Sequence, residues 1–199
     1  MAAATASGAA AVALWGEAWV QRVEESFDWT HDVRVSKANL SKVNEIIEAD
    51  KKNGMQEALP YWTSVLSSME SARAAGRSLA RIDAPPSPPS GPPPPDPISG
   101  RVFLLTDGGC GSACLDFADL LRRLPGVAQI GTPTFADAVY MDVNEARLPS
   151  GMATLSYGMK VFRHRVRANN QWYEPKYRWP GGAMTENSLA EWIRSLPRG

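Results

Sequence analysis

Across 199 residues, lysine plus arginine equals aspartate plus glutamate at 21 each, so the formal charge is zero and there is no electrostatic case for a nucleic-acid or anionic-membrane partner. No stretch is apolar for the roughly 18 residues that a membrane-crossing helix needs, and the Ala-rich start lacks the basic residues that open a signal peptide. The expectation is a soluble chain of one domain, or one domain plus an appendage, whose composition names neither compartment nor oligomeric state.

Val12, Trp15, Trp19 and Val23 recur every three or four positions and predict a helix with one buried face over residues 9–27. After Trp29 the polar fraction rises. Val43, Ile46, Ile47, Leu59, Trp62, Val65, Leu66 and Met69 are again helix-spaced, which predicts two helices broken near Asn53-Gly54. Trp29, Tyr61 and Trp62 on such a unit could serve a partner, although aromatic residues at helical spacing are more often core. From 85 to 97 nine of thirteen residues are proline, which fixes φ and removes backbone donors, so an exposed, semi-extended linker is predicted. Nothing beside it marks it as a ligand for an aromatic groove.

Beyond the linker the texture changes. Residues 101–106 form a short apolar run, Gly108 to Gly111 force a turn, and 114–124 are helical in period: strand, tight turn, helix. Residues 127–131, 138–143 and 152–161 are further strand candidates, the last two separated by the turn Leu148-Pro149-Ser150-Gly151. Thr185 is a plausible N-cap for a last helix over 186–196, stopped by Pro197. Cys110 and Cys114, the only cysteines, are too few for a disulfide framework and lack the second pair of a zinc site. They read as two small packing thiols rather than a redox or metal pair, and neither metal nor cofactor is expected.

The turn carries the chemistry. A strand that ends in Gly108-Gly109-Cys110-Gly111 and enters a helix at Ser112 places that hydroxyl at a helix N-terminus, where unpaired N–H groups favour developing negative charge. Serine is also a preferred N-cap, so a purely structural role fits the same residue. The elbow of an α/β-hydrolase needs glycine two before and two after the serine, where this chain has Cys110 and Cys114. The papain-type cysteine signature fails as well, because Cys110-Gly111-Ser112-Ala113-Cys114 is one residue too long for it.

The run from Val102 to Ala113, followed by Phe117-Ala118 and Leu120-Leu121, resembles the tail-specific (C-terminal-processing) serine peptidases, whose pattern is a strand, a small-residue turn, Ser-Ala and a helix. Three downstream landmarks come in the family's order. Gly131-Thr132-Pro133-Thr134 is similar to its Gly-Glu-x-Thr segment, Leu148-Pro149-Ser150-Gly151 to its Leu-Pro-(Asp/Ser)-Gly hairpin, and Tyr173-Glu174-Pro175 to its late Val-x-Pro-Asp turn. The resemblance covers residues 101–180. It implies an α/β fold with a ClpP/crotonase-like layer of strands and outer helices, Ser112 as the nucleophile, Gly111 and Ala113 as oxyanion-hole donors, and a polypeptide substrate.

Two departures shape the expectation. Where the Ser-Lys branch has its Gly-Lys-Gly triplet, this chain has Ala136-Asp137-Ala138, and Asp137 cannot replace a desolvated amine as the base for a serine without a histidine between them. The usual acidic residue three after the serine is Leu115, with Asp116 one further on. The tricorn-core-like branch is nearer, yet its Asp-x-Arg-x-Asn-Gly-Gly-Gly motif is not found between residues 1 and 100; the helix over 9–20 could be the one that follows that motif, in a chain starting too late to hold the whole catalytic apparatus. His31 and His164 are the only histidines; His164 falls among Arg163, Arg165 and Arg167 on a predicted strand, where positive charge opposes protonation, and both read as surface residues unless one is the base. The expected organisation is an N-terminal helix of the peptidase-like domain (1–27), a helical insert (28–84), a Pro-rich linker (85–100) and the nucleophile-bearing part (101–199). The rival expectation is a non-catalytic, degenerate member that binds peptide or a partner chain.

Overall fold

A computed structural model of the chain describes residues 6–87 and 91–197. The predicted first helix is divided into α1 (Ala6–Trp15) and α2 (Glu17–Glu24) by Gly16. Its φ of 82° lies in the left-handed region that ends helices, a break the apolar period does not register. Ala11, Trp15, Val20 and Val23 are buried all the same, and Trp15 Nε1 donates to the Pro125 carbonyl at 3.2 Å.

Residues 28–84 are not a purely helical insert. They open with strand β1 (His31–Arg34) and close with β2 (Leu79–Ile82), flanking α3 (Lys37–Asn53), a 3-10 turn at Gln56–Ala58 and α4 (Leu59–Ala74). Ser36 caps α3 by accepting the Asn39 N–H at 3.1 Å, and Gly54, at φ 73°, ends it where the Asn53-Gly54 break is predicted. Helices α3 and α4 enclose a core of Leu40, Val43, Ile47, Val65, Met69 and Ala72 against Val33 and Ala80 of the two strands. β1 then pairs antiparallel with β6 (Thr154–Phe162), His31 opposite Phe162, so the segment is woven into the C-terminal half. The order of this sheet is β2-β1-β6-β5, with β5 (Tyr140–Arg147) joined to β6 through the predicted 148–151 turn, in which Gly151 N–H donates to the Leu148 carbonyl at 2.8 Å.

A second sheet runs parallel in the order β3-β4-β7: Val102–Thr106, Val127–Gly131 and Tyr177–Arg178. Helix α5 (Ala113–Leu121) makes the crossover from β3 to β4, as parallel strands require. Its buried face, Ala118, Leu120 and Leu121, packs with Leu104 of β3 and with α1 and α2 in a second core. The architecture is mixed α/β, with its strands in two sheets. The described residues of the linker form neither helix nor strand and lie along α2, where Trp19 Nε1 donates to Pro95 O at 3.1 Å and Ser87 N–H to Glu25 O at 2.7 Å. α6 (Glu186–Ser195) starts at Thr185, as predicted, through a reciprocal capping box with Ser188. Among the described residues no helix is long and apolar enough to cross a membrane.

Candidate active site

The turn between β3 and α5 is anchored before it begins. At the end of β4, Gly131 has a φ of 108°, and a Cβ there would lie 2.2 Å from the Thr106 carbonyl oxygen, so only glycine lets the two strand ends approach this closely. Thr132 N–H donates to that oxygen at 2.9 Å, and Thr106 Oγ1 donates to Thr132 O at 3.0 Å. Beyond Thr106 the chain folds back on Asp107: its carboxylate accepts the Gly109 N–H at 2.8 Å and its carbonyl accepts the Cys110 N–H at 3.1 Å. Cys110 O accepts the Phe135 N–H at 3.1 Å.

Cys110 and Cys114 are joined as a disulfide, not two packing thiols. The spacing that fails as a framework or a zinc site brings the two sulfurs together because the chain turns sharply between them into the first turn of α5.

Ser112 is the central residue of this bridged turn. It is exposed, with φ 51° and ψ −119°, a conformation that L-residues rarely adopt outside strained functional turns. It stands in the N-cap position, but its side chain makes no capping bond; only its carbonyl works for the helix, accepting the Leu115 and Asp116 N–H groups at 2.9 and 3.1 Å. Among the described residues, no acceptor meets the N–H groups of Gly111, Ser112 or Ala113. The serine and the two expected oxyanion donors thus lie on one exposed turn with its donors free. This is the strand–turn–helix geometry of a nucleophile elbow, reached without the glycine spacing of the α/β-hydrolases.

Phe135, 61% exposed, walls one side of the turn, close enough that a Cβ on Gly111 would sit 3.5 Å from its ring. A depression of about 280 Å³ beside the turn is lined by Leu105, Asp107, Gly109, Met184 and the disulfide. Neither Phe135 nor Met184 is marked by any sequence period. A larger hollow of about 540 Å³, between α3 and β5, contains none of these residues.

Neither histidine hydrogen-bonds to Ser112; each has other partners. His31 is no surface residue: it is 3% exposed on the second strand of the antiparallel sheet. Its Nδ1 lies 2.7 Å from the Trp29 carbonyl, which only a proton on Nδ1 can satisfy, so Nε2 accepts from the Tyr61 hydroxyl at 3.2 Å. Burial pushes this imidazole below the ordinary histidine range. His164 lies in the loop after β6, not on a strand, and its ring nitrogen meets Asp28 at 2.8 Å. Hydrogen bonds from Thr30, and then His164 itself, hold the Asp28 carboxyl below its usual range.

The arginines around His164 are each paired with carboxylates. Arg163 pairs with buried Asp32 of β1, as does Arg81 of β2. Arg165 pairs with Asp116, while fully buried Arg167 meets Asp119 at 2.9 Å, Asp116 at 3.0 Å and Asp137 at 3.5 Å. Tyr173 donates to Asp119, and burial followed by that carboxylate pushes its phenol far above the ordinary range. Tyr173 also exchanges hydrogen bonds with Thr134, at 2.9 and 3.1 Å, so two of the three landmarks meet beside α5. Asp116 and Asp137 are therefore committed to a clamp on the first turns of α5. Among the described residues, no group of three His, Cys, Asp or Glu side chains is arranged to hold a metal ion.

No protein-family model matches the chain, and no curated protein matches it. Among solved structures it is similar to a candidate peptidase from Parabacteroides merdae, at 18% identity and a TM-score of 0.35, over 57% of this chain and 32% of that one. It is also similar to mature CPAF, at 13% identity and a TM-score of 0.42, over 81% of this chain and 36% of that one. The chain thus spans about a third of the length of these structures.

Proposed function

We propose that the chain carries the nucleophile-bearing part of a serine-type peptidase of the tail-specific family, nearer its tricorn-core-like branch, with Ser112 attacking a peptide carbonyl. The observation that carries this reading is the backbone of Ser112. A residue that served only as a cap would adopt the extended conformation seen at Ser36 and Thr185 and would accept an N–H from the helix, as they do. Ser112 does neither, and instead holds an exposed hydroxyl on a left-handed turn.

The reaction follows from the same geometry. Attack of Oγ on a carbonyl carbon generates an oxyanion, which the free N–H groups of Gly111 and Ala113 stabilise beside the N-terminal end of α5; collapse of the intermediate releases the amine and leaves the acyl group on Ser112. The proton of Oγ must leave with a base, and no described side chain hydrogen-bonds to it. Peptide turnover by this chain is accordingly slow, because loss of the base from a serine dyad or triad costs several orders of magnitude in rate. That same observation supports a second reading, a peptide-binding member that does not cut.

An activated aryl ester separates the two, since its leaving group needs little assistance. The expected result is a burst of up to one equivalent of phenolate and an acyl group on Ser112, both lost in Ser112→Ala. Binding of unfolded casein with no burst, and unchanged in Ser112→Ala, would favour the non-catalytic reading.

A further inference from the structure

The disulfide closes a five-residue loop with Ser112 at its centre, and its two ends differ. Cys110 is buried at 4% exposure, whereas Cys114 is exposed as the second residue of the nine-residue helix α5. The depression of about 280 Å³ opens onto both, with Leu105 and Met184 as apolar walls. An accessible sulfur beside a buried partner is the arrangement that thiol–disulfide exchange uses, and a thiolate released at Cys114 would sit among the unpaired N–H groups of a helix start.

We infer that Cys110–Cys114 is a redox-active pair that exchanges with dithiols at Cys114, and that its oxidised form latches Ser112 in the reactive conformation. The latch rests on the reading of Ser112 as the nucleophile; the exchange does not. In the first step a dithiol's thiolate attacks Cys114 Sγ, the bond between the two cysteines breaks, and Cys110 leaves as a thiolate that takes up a proton. In the second step the other thiol of the reductant attacks its own sulfur in the mixed disulfide and releases Cys114. The reductant is oxidised to a disulfide, and its two protons end on Cys110 and Cys114.

The case for a latch is local. Both cysteines belong to one turn, so their bond staples no distant elements, and neither hydrophobic core cluster contains a cysteine. Among the described residues, the backbone bonds that tie residues 110–116 are those at Cys110 N–H and O and those from the N–H groups of Cys114, Leu115 and Asp116; Asp107 holds Gly109 before them and Arg165 and Arg167 hold Asp116 after them. A backbone in a sparsely populated region persists only when its surroundings over-determine it. Breaking the five-residue ring removes the constraint that spans Ser112 itself, and the serine relaxes toward ordinary helical or extended angles.

The full chain is compared in air-oxidised form and after treatment with dithiothreitol, with three readouts: alkylation of the thiols, amide exchange at Cys114, Leu115 and Asp116, and the rate of Ser112 labelling by an aryl fluorophosphonate. Mild dithiothreitol should free both thiols, with Cys114 alkylated first. It should speed exchange at those three amides and slow Ser112 labelling by about tenfold, the effect expected from losing a preorganised turn. The double variant Cys110→Ala/Cys114→Ala should label at the slow rate and ignore the reductant. Resistance of the bond to reduction in the native protein would overturn the exchange. Unchanged amide exchange and labelling with both thiols free would overturn the latch. Faster amide exchange without Ser112 labelling in either state would overturn the nucleophile and the latch, leaving the redox pair standing.

Discussion

At the scale of the residue, Ser112 is exposed, its φ is positive, and among the described residues its side chain meets no hydrogen-bond partner, so a serine side chain gains nothing for the fold there. Such a backbone costs about 1–3 kcal/mol, which glycine largely avoids. Ser112→Gly should therefore raise stability by about 1 kcal/mol in urea titration while abolishing acylation, whereas Ser112→Ala abolishes acylation at nearly unchanged stability. A glycine variant less stable than the parent would show that the serine is there for the fold. The position of this residue is legible in the sequence, because Gly108-Gly109-Cys110-Gly111 between an apolar run and a helical period can only be a turn. Its disulfide is not legible: pairing depends on the distance at which the turn sets the two sulfurs, and a five-residue Cys spacing alone does not reveal that.

At the scale of the element, the strands and helices defined by local signals stand close to where the pattern puts them, including β4 at Val127–Gly131 and α6 after Thr185. β1 escapes the pattern because His31, Asp32 and Arg34 read as polar surface, and the side chains that meet the first two come from 30 or more residues away. Asp32 is matched by Arg81 and Arg163, and His31 by Tyr61 and the Trp29 carbonyl. This burial has a pH signature. The folded protein keeps His31 neutral below the ordinary pKa of about 6.5, whereas the unfolded chain takes up a proton there. The unfolded state thus binds more protons, and stability must fall as pH drops below about 6.5, by at most about 1.4 kcal/mol per pH unit from this one group. Urea midpoints at about pH 7.5 and 5.5, a window chosen to bracket the imidazole, should differ more for the parent than for His31→Gln. Parallel shifts would mean that His31 is protonated in the fold.

At the scale of the whole molecule, two cores stand on two sheets. The antiparallel sheet interleaves residues from before and after the Pro-rich linker, and the parallel one presents the Ser112 turn. The α/β class follows from the alternation of short apolar runs with helical periods. The joining of β1 to β6 does not, since a pairing across more than a hundred residues leaves no local mark. The clamp of Arg165 and Arg167 on Asp116, Asp119 and Asp137 is hidden as well, its partners lying 30 to 51 residues apart in the chain, and it fixes α5 beneath the candidate nucleophile. On the proposed reading, the two sheets and their helices present one reactive hydroxyl, that of Ser112. Incubation of the oxidised chain with an aryl fluorophosphonate, followed by intact-mass measurement and peptide mapping, should give a single adduct on Ser112, absent from Ser112→Ala. An adduct on another serine, or none on a chain whose fold is verified under conditions that label a control hydrolase, would contradict it.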